Sequence, residues 1–230
     1  MTPKAPKILS VGGSIIIPKT GFDVSFLKQF RSLILRQVKK GERFILVIGG
    51  GATCRQYQTA AKSVLPLTNE DLDWIGIHTT IFNANFVKYL FKGYAHPEIV
   101  TNPNKRTSSK HPILIGAGYK PGCSTDKDAV LLAKTYKAKE IINLSNIEYV
   151  YTKDPTVYPD AQKIEQIDWK TFRKEIAGNT WIAGKNSPFD PVASREAEKL
   201  KLRVSILNGT NLKEVEKAIA GKAFIGTIIG

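Results

Sequence analysis

Apolar runs alternate along this chain with stretches of helical period, and the runs tend to end in glycine. Lys7–Val11 (KILSV) predicts a strand, with Gly12-Gly13-Ser14 directly after it. Over Asp23–Lys40 the residues Phe26, Phe30, Leu33, Ile34 and Val38 recur on one helical face, and Gly41 is placed to end that helix. Phe44–Ile48 (FILVI) is apolar throughout, as a strand covered on both faces would be, and Gly49-Gly50-Gly51 follows. Thr53–Leu65 and Ile77–Lys92 predict helices, residues 97–112 mostly loop, and Ile113–Ile115 a short strand leading into Gly116-Ala117-Gly118. The second half repeats the rhythm. Helices are expected over Asp126–Tyr136 with Asp126 as N-cap, Ile167–Ile176, Pro191–Leu200 begun by Asp190, and Leu212–Ala220. Strands are expected at Glu140–Leu144, Arg203–Leu207 and Ala223–Ile229. Such alternation argues an α/β fold, a mostly parallel central sheet with helices on both faces.

Composition narrows the class. With 230 residues, 42% hydrophobic and 23% charged, the chain can bury a sizeable core as one large α/β domain. Cys54 and Cys123 form no CxxC pair, which points to a reducing compartment, the cytoplasm, without a structural disulfide or thiolate zinc site. The N-terminus has no apolar core of a secretory signal, and no apolar run approaches the ~18 residues a membrane span needs. The net charge of +14 raises nucleic-acid binding, but the basic residues are scattered and no aromatic–basic stacking motif accompanies them. A small anionic substrate would profit from the same positive field.

The candidate chemistry lies in the three glycine turns. In an open parallel sheet, ligands sit beyond the carboxyl ends of the strands. Glycine there lets backbone N–H groups approach a phosphate, and a following helix adds the positive end of its dipole. Tight turns alone would also explain one such glycine, whereas three on one edge favour a polyanion site. Neither GxxxxGK[ST] nor GxGxxG opening a βαβ unit occurs, so this is not a P-loop or dinucleotide-binding pattern.

Five segments, in order, carry a resemblance: Val11-Gly-Gly-Ser14, Gly49-Gly-Gly-x-x-x-Arg55, Asp73-x-x-Gly76 with Asn83-Ala84, Pro121-Gly-x-Ser-Thr-Asp126, and Asn146-x-x-x-Val150-Tyr-Thr-x-Asp-Pro155. Asp190-Pro-x-Ala193 and the ending Gly221–Ile229 add to it. The chain resembles the amino-acid kinase superfamily and, within it, the UMP kinases of archaeal type. That resemblance implies a single three-layer α/β/α sandwich domain over 1–230. Its acceptor-binding half would be about 1–118 and its ATP-binding half about 119–230. It further implies a homohexamer and a requirement for Mg²⁺ with ATP.

The resemblance also assigns roles. It places ATP at Gly13, Ser14, Gly51, Arg55, Ser145, Asn146, Tyr151 and Asp154. It places UMP at Gly50, Asp73 and the loop Tyr119, Lys120, Pro121, Gly122, Cys123, Ser124 and Thr125. Asp126 and Arg55 are the expected catalytic pair: the aspartate organises lysines and phosphates, and the guanidinium holds phosphate bidentately without losing its proton. Asp73 suits ribose hydroxyls, because one carboxylate can accept from two. Taken alone, the same residues also read as a helix cap (Asp126), an exposed arginine (Arg55) or a helix cap or solvated side chain (Asp73).

Some positions depart from the pattern. Many superfamily members carry a lysine where this chain has Ser10, and Lys7, Lys120, Lys127 and Lys185 are candidate substitutes. Glu148-Tyr149 stands where Asp-Gly is common, and Lys127-Asp128 puts charge directly after Asp126. Two alternatives follow: a kinase for another small phosphate such as isopentenyl phosphate, and a catalytically weakened paralogue that binds nucleotide. The first expects a histidine after the second glycine turn, and Ala52–Tyr57 has none.

Overall fold

The computed structural model describes residues 5–178, 180–181 and 187–230. Its elements run β1 (Lys7–Val11), α1 (Gly13–Ile16), α2 (Val24–Lys39), β2 (Phe44–Ile48), α3 (Gly51–Val64), α4 (Asn69–Leu90), β3 (Ile113–Gly116), α5 (Thr125–Tyr136) and β4 (Glu140–Ser145). There follow β5 (Val150–Tyr151), β6 (Lys163–Ile164), β7 (Gln166–Ile167), α6 (Trp169–Phe172) continued by a π-helical turn at Arg173–Ala177, α7 (Pro191–Lys199), β8 (Arg203–Asn208), α8 (Leu212–Ile219) and β9 (Thr227–Ile229). Among the described residues, seven strands form one sheet in the order β3-β2-β1-β4-β8-β9-β7. The run β3-β2-β1-β4-β8 is parallel, and β9 lies antiparallel to β8.

Strand alternation sorts the core into two layers. Leu9, Val11, Leu46, Ile48, Ile142 and Leu144 pack against α2, α4 and α8 on one face. Ile8, Ile45, Val47, Ile141, Val204 and Ile206 pack against α5, α6 and α7 on the other. Successive side chains point to opposite faces, so a strand that is apolar at every position, such as β2, must be covered twice. Each such fully buried aliphatic side chain contributes roughly 1.5–3 kcal/mol. The result is the expected three-layer α/β/α sandwich. All five parallel strands end on one edge, and the three glycine turns lie there together.

Several boundaries differ from the pattern reading, each for a local reason. Helix α4 starts at Asn69 instead of Ile77, because Thr68 and Asp71 form a capping box that starts the helix through two polar turns. The cap of α5 is Ser124, whose side chain accepts from the Asp126 N–H, so Asp126 stands in the first turn with its carboxylate free for other partners. Ile167 pairs with Ile229 as strand β7, and the helix after it starts from the Asp168 cap. Only Thr227–Ile229 of the last stretch is strand; Gly226, at φ 158°, precedes it. The hairpin of β5 with β6 pairs residues thirteen or so apart and has no periodic signal in the sequence.

Candidate active site

Two of the glycine turns interlock. An ideal Cβ on Gly13 would lie 2.0 Å from the Gly51 nitrogen, and one on Gly51, which sits at φ +69°, would lie 2.7 Å from the Gly13 carbonyl oxygen. Only glycine permits that approach of two backbones. Helix α4 steadies the second turn. Its inward face carries Asp73, Thr80 and Asn83 at helical spacing, all buried. Asn83 Nδ2 donates to the carbonyls of Gly49 at 3.0 Å and Gly50 at 2.9 Å. The Thr80 hydroxyl accepts from Gly118 N–H at 2.8 Å, which ties the third turn to the same helix.

Beside these turns lies a cleft of about 200 Å³. Gly50, Gly51 and Arg55 line it, with Asp73, Gly76 and Thr80 of α4, then Lys120, Cys123, Ser124, Thr125 and Asp128, and Trp181. The half-buried Arg55 and the N-terminus of α3 make the glycine side electropositive. Asp73, 8% exposed, accepts from Gly122 N–H at 2.7 Å and from the Trp181 indole N–H at 3.3 and 3.4 Å. It is neither the helix cap nor a solvated carboxylate: its partners hold it in the cleft wall.

Asp126 is the hub next to the cleft. Its Oδ1 accepts from the Ser10 hydroxyl at 3.0 Å and from Asn143 Nδ2 at 3.2 Å, and its Oδ2 accepts from Asp190 N–H at 3.2 Å. The sheet explains the meeting: Ser10 of β1 and Asn143 of β4 are register partners, so both point to the α5 face. Burial, then the neighbouring Asp190 carboxylate, pushes the Asp126 pKa up to about 6 against the hydrogen bonds that favour the anion. Asp190 accepts from Ser124 N–H at 2.6 Å and from Val192 and Ala193 N–H at the start of α7. It thereby fastens the loop before α5 to the α7 layer.

Of the UMP set expected from the sequence, six residues line one cleft, and Tyr119, Pro121 and Gly122 do not. Gly50, Asp73, Lys120, Cys123, Ser124 and Thr125 line it, Gly122 meets it through its N–H on Asp73, and the Tyr119 ring lies with its centroid 5.0 Å from the Lys120 ammonium. Burial raises the Cys54 thiol and pushes Cys123 to about 12, so neither is a thiolate near neutral pH. The ATP set is spread more widely. Gly13 and Gly51 join the interlocked turns, and Ser14 lines a separate groove of about 680 Å³ with Thr210, Asn211 and Lys213. Ser145 ends β4 and Asn146 follows it, and Tyr151 lies in the hairpin. Asp154 is exposed, and its carboxylate accepts from Thr156 N–H and hydroxyl at 2.9 and 2.7 Å.

Of the lysine substitutes, Lys7 starts β1 at the sheet edge opposite the glycine turns and is placed away from the site. Lys120 lines the cleft, Lys127 follows Asp126 on α5, and Lys185 lies outside the described residues. Sequence reasoning missed the site roles of Asn143, Thr80 and Trp181. A polar residue inside the apolar run Glu140–Leu144 is a signal that could have found Asn143. Nothing local announces Trp181, which reaches Asp73 across 108 positions.

Residues 6–208 match the Amino acid kinase family. The uridylate kinase of Methanococcus vannielii is 31% identical over 96% of this chain and 98% of its own length. That of Methanocorpusculum labreanum is 29% identical over 97% of this chain and 94% of its own. The crystal structure of uridylate kinase from Archaeoglobus fulgidus superposes with a TM-score of 0.81 at 26% identity, covering 98% of this chain and 100% of that one. Fold, turns and motif order agree in this assignment: the chain belongs to the amino acid kinase family.

Proposed function

We propose that the protein is a UMP kinase, moving the γ-phosphoryl group of ATP to UMP and releasing UDP and ADP. The observation that carries this reading is the cleft itself. It brings together an electropositive end at Gly50, Gly51 and Arg55 that would take the acceptor phosphate, a buried Asp73 carboxylate that would take the ribose hydroxyls, and a Ser124–Thr125 wall that would face the base.

The chemistry follows from these placements. An acceptor phosphate oxygen, ionised near neutral pH, attacks the γ-phosphorus in line, the bond to the β-phosphate oxygen breaks, and ADP carries the electron pair away. No general base is required. Arg55 and the turn N–H groups would orient and neutralise the acceptor phosphate. Asp126, clamped by Ser10, Asn143 and the Asp190 N–H, would orient Lys120 or Lys127 and the phosphates between the two substrates. Gly13 and Ser14 would hold the ATP phosphates, with Gly51 beside them and Ser145, Asn146, Tyr151 and Asp154 around the adenosine. Among the described residues no group of three or more His, Cys, Asp or Glu side chains could hold a metal ion. Mg²⁺ would arrive with the ATP phosphates held at Gly13 and Ser14 and would neutralise phosphate charge there.

Division into an acceptor half (about 1–118) and an ATP half (about 119–230) is consistent with one sheet spanning both. Self-association is supported by an aromatic stripe on α4: Trp74, His78, Phe82 and Tyr89 share the outward face, with Phe82 74% and Tyr89 70% exposed. A hexamer and a cytoplasmic location follow the family resemblance. The described residues contain no helix long and apolar enough to cross a membrane.

The test is an ADP-release assay with Mg-ATP and UMP, CMP, dTMP or isopentenyl phosphate, run beside Asp126→Asn. Rapid turnover with UMP, lost in the variant, supports the reading. Turnover with isopentenyl phosphate alone, or none in protein that ATP and UMP still stabilise, would sink it.

A further inference from the structure

Asp128 is an acid that the reaction outlined above does not use. It lies on α5 one turn past the Ser124 cap, lines the acceptor cleft, and is 3% exposed. Its carboxyl group stands among the Asp126 and Asp190 carboxylates, with the Tyr119 backbone N–H on the side that favours the anion. The cleft already has a positive end for phosphate at Arg55 and a carboxylate for the sugar at Asp73. A further carboxyl group is wrong for a phosphate, and Asp128 stands one helical turn from the Ser124–Thr125 wall proposed for the base.

We propose that Asp128 is a specificity-determining residue that selects uracil over cytosine by donating a hydrogen bond from a protonated carboxyl oxygen to the base carbonyl at position 4. This rests on the reading of the acceptor as a pyrimidine nucleoside monophosphate. Uracil presents an acceptor at position 4, where cytosine presents an amino donor. A neutral carboxyl has an O–H to give, which suits the uracil carbonyl and finds no acceptor on the cytosine amino group. An ionised carboxylate can only accept, which reverses the preference.

The surroundings favour the neutral form. Asp126 and Lys127 flank Asp128 on α5, and Asp190 faces it from the start of α7. Cys123 and Lys120 come from the preceding loop, and Asp73 from α4 lines the same cleft. A further negative charge buried among carboxylates is costly. Burial foremost, with Asp190 and Asp126 adding to it and the Tyr119 N–H opposing, pushes the Asp128 pKa up to about 8. The proton is therefore present at neutral pH and lost as pH rises through that value.

The test is the ratio of kcat/KM for UMP to that for CMP, with saturating Mg-ATP, from about pH 6.5 to 9. A ratio cancels pH effects on ATP binding and on the phosphoryl step common to both acceptors. The wild type should favour UMP at neutral pH and lose about tenfold of that preference across the range, the worth of one buried hydrogen bond turned unfavourable. Asp128→Asn offers an N–H donor in place of the O–H and has no proton to lose, so its preference should not vary with pH. Asp128→Ala should show a weak, pH-independent preference, through KM for UMP and not for ATP. A wild-type ratio that is flat with pH, or one whose slope persists in Asp128→Asn, overturns the proposal while UMP turnover stands. Wild-type protein that does not phosphorylate UMP instead overturns the functional reading beneath it.

Discussion

The Ser10 hydroxyl donates to Oδ1 of Asp126 at 3.0 Å, joining the middle of the first strand to the first turn of α5 across 116 positions. Ser10 serves the aspartate directly. It shares that oxygen with Asn143 Nδ2 at 3.2 Å, so the carboxylate plane is held from two adjacent strands.

Ser10→Ala therefore tests positioning. Removing the hydroxyl leaves Asn143 Nδ2 on that oxygen and takes away an interaction that keeps the Asp126 pKa down. The expected outcome is a loss of about three- to tenfold in kcat, the worth of one hydrogen bond, with little change in KM for either substrate. The acid limb of the pH–rate profile should move to higher pH. A KM effect without a kcat effect would point to a packing role instead.

Gly13→Ala tests the interlocked turns. The added Cβ would meet the Gly51 nitrogen at 2.0 Å, and that neighbour is backbone, which cannot swing aside. Destabilisation of about 1–3 kcal/mol, read as a lower Tm, should accompany loss of activity. An unchanged Tm would show that the two turns separate easily in solution.

Stability should depend on pH through the two raised acids. Asp126 and Asp128, pushed to about 6 and about 8 from a usual 3.8, hold protons in the folded state that the unfolded chain has released. Their contribution is complete below about pH 4 and disappears as pH rises through about 6 and then about 8. Thermal melts from pH 5 to 9 should show Tm falling on the alkaline side, and Asp128→Asn should flatten the upper part of that fall. Equal slopes in both proteins would remove Asp128 as the cause.

Phe82→Lys tests the outward face of α4. Phe82 is 74% exposed and lies in line with Trp74 and His78. If copies of the chain meet there, a buried unpaired charge should shift the protein to a smaller species in analytical ultracentrifugation, with the monomer still folded. An unchanged sedimentation coefficient would place any assembly elsewhere.

Much of this protein is written locally. Strand β2 begins and ends where its apolar run does, because a strand covered on both faces is apolar throughout. Asp190-Pro191 announces α7 through an N-cap carboxylate and a proline whose fixed φ suits the first helical position. The interlocked glycine turns were legible because close backbone approach restricts the residue type, and Arg55, Asp73 and the loop before α5 meet at one cleft beside them.

Tertiary structure decided which of those residues have partners. Whether Asp126 caps its helix or meets Ser10 and Asn143 depends on strand register and on Ser124 taking the cap. Whether Asp73 is solvated or built into a wall depends on Gly122 and Trp181, distant in sequence. Asp128 reads in the sequence as one more charge on a helix; only packing against the Tyr119 loop, Asp190 and the cleft makes it a buried acid with a raised pKa. Propensity and periodicity are properties of a few neighbouring residues. Burial, charge environment and hydrogen-bond partnership are sums over groups that the chain brings together only on folding.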